Sequence, residues 1–296
     1  MIDIINCVGK YFYLWSMKLL ISTITTILLM VQATLATSQN VIGTLNNASS
    51  NALGGVSSSF ADVRGLAANP ASIASIKNMQ ALIFADERFG IKELSAFSAG
   101  IALPTHSGSF GLSLGRFGFD LYNENLISAS YGRKLFANLS VGGSIQYQYF
   151  NIPDYGKKGV VGFQLGLYSE LNRRISLFFS VSNPGRQKIT DNDHLSGIFT
   201  VGAMYIPNDR LAIRGEFCKT LEHSEDFRFG VEYAPSSRVI IRVGGQTAPA
   251  QFGVGFGIVV LETLVVEASA KYDPQIGYHP GVGLSYGIAF DHKKKL

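Results

Sequence analysis

The chain has 296 residues, of which 47% are hydrophobic and only 16% are charged, and its mean hydropathy is +0.20. The formal net charge is only +4, and the one basic cluster is Lys293–Lys295, so the composition argues against binding to nucleic acid. After residue 38, the longest run of apolar and Gly residues is Gly253–Leu261, whereas a membrane-spanning helix needs about 18 residues. Backbone groups in lipid must pair with one another, so this composition favours a closed β-barrel. A soluble all-β protein is the alternative.

Residues 1–38 are predicted to be a leader with a secretory signal peptide. Met17-Lys18 and the apolar stretch Leu19–Val31 reproduce the charged start and the short apolar core of such a peptide. Small residues follow, and cleavage is expected after Ala36 or Ser38. An uncleaved anchor is the alternative.

Residues 39–78 are rich in small side chains and are predicted to form a plug-like segment with a short helix. The segment contains Gly54-Gly55, the acidic Asp62 and the tripeptide Asn69-Pro70-Ala71, which stands shortly before the first predicted strand. In these features the sequence resembles the FadL superfamily of long-chain fatty-acid transporters, including the PorV/PorQ-like barrels. The resemblance covers most of residues 52–290 and implies a barrel of about 14 strands with an N-terminal plug.

Segments with a period of two residues follow one another from residue 79 to residue 290, the predicted barrel domain. In the segment 138–150, Leu139, Val141 and Ile145 share one face, whereas the other face carries Ser, Gly and Gln. Such a strand suits a position between lipid and a polar lumen. The predicted fold class is therefore all-β, a transmembrane antiparallel β-barrel of about 14 strands with a short N-terminal helical plug segment. The predicted strands are 79–86, 93–103, 109–118, 124–133, 138–150, 159–171, 174–183, 196–206, 209–219, 226–235, 238–247, 250–260, 263–272 and 281–290.

Connections between the predicted strands alternate between tight turns and longer loops. Antiparallel barrels with periplasmic termini show this asymmetry, because their periplasmic turns are short and their external loops are longer. The last strand, with Ile288 facing outward, is expected to end at Phe290 and to be followed by the basic tail 291–296. The connections predicted to be longer are Asn151–Lys158, Pro184–Leu195, Lys219–Glu225 and Asp273–Pro280.

Charged residues on the predicted strands fall in phase with the polar, inward-facing residues. On the lipid face, Arg or Lys would cost roughly 2–4 kcal/mol at mid-membrane, so this phase supports the assignment of inside and outside. Two roles stay open: a structural network that pairs across the wall or holds the plug, and a polar path for a ligand. The predicted lumen network consists of Glu170, Arg214, Glu216, Arg228, Glu232, Arg242, Glu267 and Lys271.

No motif in the chain indicates catalysis, a metal or a cofactor. The two Gly-x-Ser-x-Gly matches, at Ser113 and Ser285, lie within predicted strands and lack the following helix of a hydrolase elbow. The five histidines lack metal-ligand spacing and are predicted to lie in solvated turns, loops and the tail. They are His106, His194, His223, His279 and His292. The remaining catalytic alternative brings together at the barrel rim the residues Asp191, Asp193, His194, Asp273 and His279.

The sequence thus predicts a non-enzymatic barrel in a bacterial outer membrane, with the lipid bilayer as its first partner. By its resemblance to the fatty-acid transporters, a hydrophobic small molecule would enter from outside and leave through the wall or past the plug. The alternative is a partner-binding barrel that serves type IX protein secretion, as PorV-like proteins do, with secretion-system proteins as partners.

Overall fold

The computed structural model describes residues 45–152, 156–189, 194–221 and 224–288. In this part of the chain fourteen antiparallel strands form one closed barrel, which confirms the predicted fold class. The strands are β1 (Gln80–Glu87), β2 (Ser95–Thr105), β3 (Gly108–Phe119), β4 (Tyr122–Phe136), β5 (Leu139–Ile152), β6 (Gly156–Glu170), β7 (Ile175–Ser182), β8 (Ile198–Asn208), β9 (Leu211–Thr220), β10 (Asp226–Ser236), β11 (Val239–Thr247), β12 (Ala250–Leu261), β13 (Leu264–Asp273) and β14 (Gly277–Tyr286). Each strand pairs with its neighbours in sequence, and β1 closes the ring with β14 through pairs such as Ile83 with Leu284.

The outward face of the barrel is apolar, and the inward face is small or polar. On β12, Phe252 and Val254 are 58% and 56% exposed, whereas Gly253 between them faces the interior and contacts the N-terminal segment. Side chains on a strand alternate between its faces, so the period of two residues in the sequence becomes an outside and an inside. Apolar side chains exposed around a whole ring are favourable only in lipid, so this face is the membrane-facing surface.

The N-terminal residues 45–76 lie inside the barrel, and we call the segment 45–78 the plug. Its regular elements are one short helix, α1 (Ala48–Ala52), and two 3₁₀ turns, η1 (Val63–Gly65) and η2 (Pro70–Ile73). Each begins after an Asn or Asp whose side-chain oxygen accepts a backbone N–H of the following turn; these residues are Asn47, Asp62 and Asn69. Side-chain caps of this kind hold turns that are too short to be stable by themselves. Across the described ranges, no helix is both long and apolar enough to cross a bilayer.

The two ends of the barrel differ. The first strand begins and the last strand ends at the same end, and the connections there are tight; β6 and β7, for example, are joined by residues 171–174. We call this end periplasmic, because short turns and both termini lie there in bacterial barrels. At the opposite, outer end, the β1–β2 connection contains the 3₁₀ turns η3 (Arg88–Gly90) and η4 (Lys92–Leu94).

Two predictions of long connections, at Asn151–Lys158 and Asp273–Pro280, are wrong, because the flanking strands continue into these ranges. Only residues 153–155 separate β5 from β6, and only residues 274–276 separate β13 from β14. The last strand is also displaced from its predicted range of 281–290, and it ends at Tyr286. Gly287, with a φ of +76°, then turns the chain. Ile288, predicted to face outward, is instead 2% exposed and packs inside the barrel against Val63 and Leu66.

Some sequence predictions fall on residues outside the described ranges. These are the leader 1–38, the basic tail 291–296, the strand end at Phe290, and the side chains of Asp191, Asp193, His223 and His292. They stay predictions.

The membrane-facing assignment can be tested by Val254→Arg, because Val254 points outward near the middle of β12. We expect a loss of about 2–4 kcal/mol in the free energy of unfolding, measured by urea titration in phosphatidylcholine vesicles. The control is Leu261→Arg at the strand end, where the same charge should cost only about 0–1 kcal/mol. Equal losses at the two positions would contradict a membrane belt centred on the barrel.

Candidate functional site in the lumen

The eight charged residues predicted to face the lumen all lie in phase with the buried side chains of their strands. Seven of them are on the wall formed by β9 to β13, and Glu170 stands apart on β6. The seven divide into an ionic network, a carboxylate that binds the plug backbone, and two cations nearer the outer end.

Glu232 lies at the centre of the ionic network. Arg242 donates from Nε to Glu232 Oε2 over 2.7 Å and from Nη1 to Glu267 Oε1 over 2.7 Å. Arg214 on β9 and Arg64 of the plug each approach a Glu232 oxygen at 3.4 Å. Arg242 is only 1% exposed, so the charges are shielded from water and interact strongly. The wall therefore contributes two positive and two negative side chains to this ionic network, and these four charges balance.

The plug brings its own ion pair to this network. Arg64 binds Asp62 in a bidentate manner, with Nη2 to Oδ2 at 2.7 Å and Nε to Oδ1 at 3.0 Å. Burial alone would raise the pKa of Asp62, but the guanidinium of Arg64 outweighs it and holds the pKa below its usual value. For Arg64, burial alone would lower the pKa, but the negative charges of Asp62 and Glu232 raise it above its usual value. Both side chains are therefore charged at neutral pH, and docking adds no net charge to the lumen.

An aromatic ring contacts two arginines, one from the plug and one from β9. The ring of Phe60 has the guanidinium carbon of Arg64 at 4.5 Å from its centre and that of Arg214 at 4.6 Å. A cation near the face of an aromatic ring is attracted to the ring, so Phe60 stabilises both guanidinium groups. Phe60 is completely buried, so it also serves as the apolar centre of the plug with Leu53 and Val56.

Glu216 on β9 binds the backbone of the plug. Its Oε1 accepts hydrogen bonds from the N–H groups of Ser57 at 3.0 Å and Ser59 at 2.9 Å, and from the hydroxyl of Ser58 at 2.8 Å. Three donors from consecutive residues thus surround one buried carboxylate, and such charge-assisted bonds are the strong ones. This contact fixes the loop between α1 and η1 to the wall.

The remaining charged residues make local contacts. Arg228 binds Asp226 at 2.6 Å and donates to the carbonyl of Gly55 in the plug at 3.1 Å. Lys271 donates to the Gln246 amide oxygen at 2.7 Å. Glu170 on β6 accepts a hydrogen bond from the Tyr168 hydroxyl at 2.8 Å. The predicted set therefore does not form one continuous cluster.

The predicted plug motif Asn69-Pro70-Ala71 docks on the opposite wall. Asn69 Oδ1 accepts the N–H of Ala71 at 3.0 Å, and its Nδ2 donates to the carbonyl of Leu167 on β6 at 3.0 Å. Gly142 and Gly166 face this turn. A Cβ at Gly142 would collide with the backbone of Pro70, and one at Gly166 would collide with the side-chain oxygen of Asn69. Glycine is needed at both positions because the plug lies directly on the wall backbone.

The sequence prediction missed the plug's contribution to the network. Arg64 and Phe60 were not singled out, and neither were the N–H groups of the Ser57–Ser59 run. A signal was present, because Asp62 and Arg64 are the only charged residues between Leu45 and Ile76. Two opposite charges in an otherwise uncharged, buried segment indicate that they pair with each other or with the wall.

An apolar cluster lies between the plug and the outer ends of β3 and β4. Leu45, Phe117 and Leu126 form its buried centre, and Ala96 packs against it. On the outward side, a cleft of about 520 Å³ is lined by residues at the outer ends of β14, β1, β2 and β3. Ala96 also lines this cleft, so it belongs to both spaces. The outward-facing residues of the cleft are Ala85, Phe97, Arg116, Pro280 and Val282.

Small residues form part of the lining of the cleft near Ala96. Gly118 follows Phe117, the cross-strand partner of Ala96, and Gly281 is the cross-strand partner of Asp86 and packs against the ring of Phe84. The lining also contains the inward-facing Asp86, whose Oδ2 lies 3.8 Å from Nε of Arg88.

The described residues do not bring together a catalytic or metal-binding group. Ser113 lies within β3, and Ser285 in β14 donates its hydroxyl to Glu267 Oε2 at 2.7 Å. In the ranges described, no three His, Cys, Asp or Glu side chains are placed to share a metal ion. Asp273 accepts hydrogen bonds from Gln251 Nε2 at 2.7 Å and from the N–H of Gln275 at 2.8 Å. Among the described residues, His279 Nε2 has no hydrogen-bond partner, so the two side chains do not form an acid–base pair.

One histidine prediction is wrong. His279 was placed in a solvated loop, but it is 8% exposed on the inward face of β14, and its ring centre is 4.3 Å from that of Phe89. The reason is that β14 begins four residues before its predicted start. His106 lies in the β2–β3 turn, and His194 forms a backbone bridge with Lys188.

A closed fourteen-strand barrel with an apolar outside and a lumen filled by its own N-terminal segment is a transmembrane barrel of the outer-membrane type. No protein-family model matches the sequence, and no curated protein matches it. Among solved structures, the CymD monoaromatic hydrocarbon channel has a TM-score of 0.62 and 12% identity, covering 85% of this chain and 99% of that chain. The Ralstonia pickettii toluene transporter TbuX has a TM-score of 0.62 and 10% identity, with 82% and 98% covered. A Pseudomonas aeruginosa FadL homologue has a TM-score of 0.61 and 12% identity, with 82% and 98% covered.

At these identities the similarity is one of fold. The chain therefore has a FadL-like barrel, and the finer resemblance to PorV/PorQ-like barrels stays a prediction.

The role of Glu216 can be tested by Glu216→Gln, because the amide is uncharged and turns an NH₂ group toward the N–H donors of the plug. We expect amide hydrogen exchange at Ser57 and Ser59 to become faster by about 10- to 100-fold, as the loss of charge-assisted hydrogen bonds implies. The matched control is Glu262→Gln in the exposed β12–β13 turn, which should leave this exchange unchanged. Unaltered exchange in the Glu216 variant would mean that other contacts hold this loop.

Proposed function

We propose that this chain is an outer-membrane channel for hydrophobic small molecules. The observation that carries the proposal is the position of Ala96, which packs against the luminal apolar cluster and also lines the cleft on the outward side of the barrel. A volume of about 520 Å³ lies within the roughly 300–1,000 Å³ range of small-molecule sites. An apolar space inside and a cleft outside, separated by small residues, suit a molecule that partitions into lipid.

The fold comparisons support this substrate class. The similar structures are described as a monoaromatic hydrocarbon channel and a toluene transporter, and their fold covers more than four-fifths of this chain. We extend from them only the general class, a hydrophobic small molecule.

The proposed route begins at the outer mouth of the barrel and reaches the cluster formed by Leu45, Phe117 and Leu126. The molecule then crosses the wall at Ala96 and enters the membrane from the cleft. The route does not pass through the ionic network, so we assign to the network the structural role of holding the plug. The leader 1–38 would be removed on export, and the mature barrel works in the bacterial outer membrane.

The second function predicted from the sequence, a partner-binding barrel in type IX protein secretion, has no support in these contacts or in the structures named above. Nor does any contact of the described residues favour an enzymatic function.

The route through the wall can be tested by Ala85→Trp, which fills the cleft from the lipid side without entering the lumen. We expect the uptake of radiolabelled toluene or oleate by cells that produce the protein to fall by about tenfold, equivalent to ~1.4 kcal/mol at the exit. Ala203→Trp is the matched control, because Ala203 is also an exposed outward alanine but lies on β8, away from the cleft.

Full uptake by the Ala85 variant would exclude this exit. If the native protein raised neither toluene nor oleate uptake above that of cells without it, the proposed channel function itself would be wrong.

A further inference from the structure

Three consecutive turns at the periplasmic end repeat one arrangement. They are Asn172-Arg173-Arg174, Asn208-Asp209-Arg210 and Ser236-Ser237-Arg238. In each turn the side-chain oxygen of the first residue accepts the backbone N–H of the arginine two positions later, at 2.8, 2.9 and 3.3 Å. Side-chain bonds of this kind fix a turn locally. The repeat therefore presents an arginine at the same position on three successive turns.

These arginines are exposed, and no ion pair involves them in the part of the chain that the structure describes. Arg174, Arg210 and Arg238 are accessible to solvent, and within the described residues none of them meets a carboxylate. Arg173 and Arg133 add further exposed positive charge on the same side of the barrel. Asp209 is the only acidic residue within the three turns. We call Arg133, Arg173, Arg174, Arg210 and Arg238 the basic arc.

The basic arc covers one continuous part of the periplasmic rim, eight of the fourteen strands. It extends from β4 to the β10–β11 turn, and successive turns are two strands apart, or roughly 10 Å. The next turn along the rim, between β12 and β13, carries Glu262 and Thr263 instead. A positive charge spread evenly for solubility would not stop at this point, so the arc has the character of a binding surface.

The basic arc lies where the apolar belt of the barrel ends. Outward-facing Tyr205 and Tyr233, which are 42% and 43% exposed, lie within a few residues of Arg210 and Arg238, and the 56% exposed Leu171 lies beside Arg173. Tyrosines on the outer face of a barrel mark the level of the membrane interface. The guanidinium groups therefore stand at the level of the headgroups of the periplasmic leaflet.

We propose that the basic arc binds the phosphate groups of anionic phospholipids in the periplasmic leaflet. Guanidinium groups bind phosphate oxygens in a bidentate manner, and a basic side chain near a membrane surface is attracted to anionic lipid. An acidic protein could meet the same charges, but lipid fits the geometry better. The arginines follow the circumference of the barrel beside its apolar belt, whereas a protein would need a compact patch. This surface is independent of what the lumen carries.

The experiment uses the full barrel in detergent micelles and measures the binding of phosphatidylglycerol and of phosphatidylcholine by native mass spectrometry. For the native protein we expect a preference for phosphatidylglycerol of about 100-fold, from three arginines with the usual attraction to an anionic surface. The variant R174Q/R210Q/R238Q should lose most of this preference. Its turns should persist, because the bonded group in each is a backbone N–H.

The matched control is K92Q/K157Q/K158Q, which removes three exposed charges at the outer end and should keep the preference. The proposal would be overturned by a native protein without preference, or by a control variant that loses as much as the arginine variant. It would also be overturned if the arginine variant kept its lipid preference but lost binding to an acidic periplasmic protein.

Discussion

The structure depends on the pairing of β1 with β14. In lipid no water is present to satisfy the backbone, so a sheet that crosses a membrane must have no free edge. Closure requires an even number of antiparallel strands when both termini lie at one end, and the tight turns then share that end. It also creates an enclosed interior, which this chain fills with the segment that precedes β1.

Two kinds of complementarity hold the plug in the barrel. The first is electrostatic: Glu232, Glu267, Arg214 and Arg242 balance one another in the wall, and Asp62 balances Arg64 in the plug. Within the ionic network each part is neutral before they meet, so docking adds no unpaired charge to the network, and burying an unpaired charge is unfavourable. Glu216 lies outside this balance, and hydrogen bonds from the plug stabilise its buried carboxylate. The second is steric, since the plug backbone rests on wall positions without side chains. The apolar cluster at Leu45 belongs to the second kind, since Leu45 packs on Gly115.

The sequence predicted the features that depend on a period of two residues. The strand count, the two faces and the inward phase of residues such as Arg242 all follow from alternation. Other features could not be predicted from the sequence. The start of β14 was misplaced because Tyr278 and His279 continue the alternation into a region that looked like a loop. The predicted lumen network was incomplete because Arg64 contacts Glu232, 168 residues away in sequence. A period of two residues in the sequence cannot reveal such a contact. The cleft depends on which small residues become neighbours on four strands.

The glycine positions under the plug restrict how the centre of the barrel could ever open. Leu53 lies against Gly244, where a Cβ would collide with its backbone, and the backbone of Pro70 lies in the same way on Gly142. A side chain that blocks a channel can move aside by a rotamer change, but a contact between two backbones cannot be opened in this way. The plug therefore blocks the centre of the barrel as one unit, and passage of a molecule along the barrel axis would require the whole plug to move. In the proposed route, a molecule that leaves laterally through the wall near the rim passes without any movement of the plug.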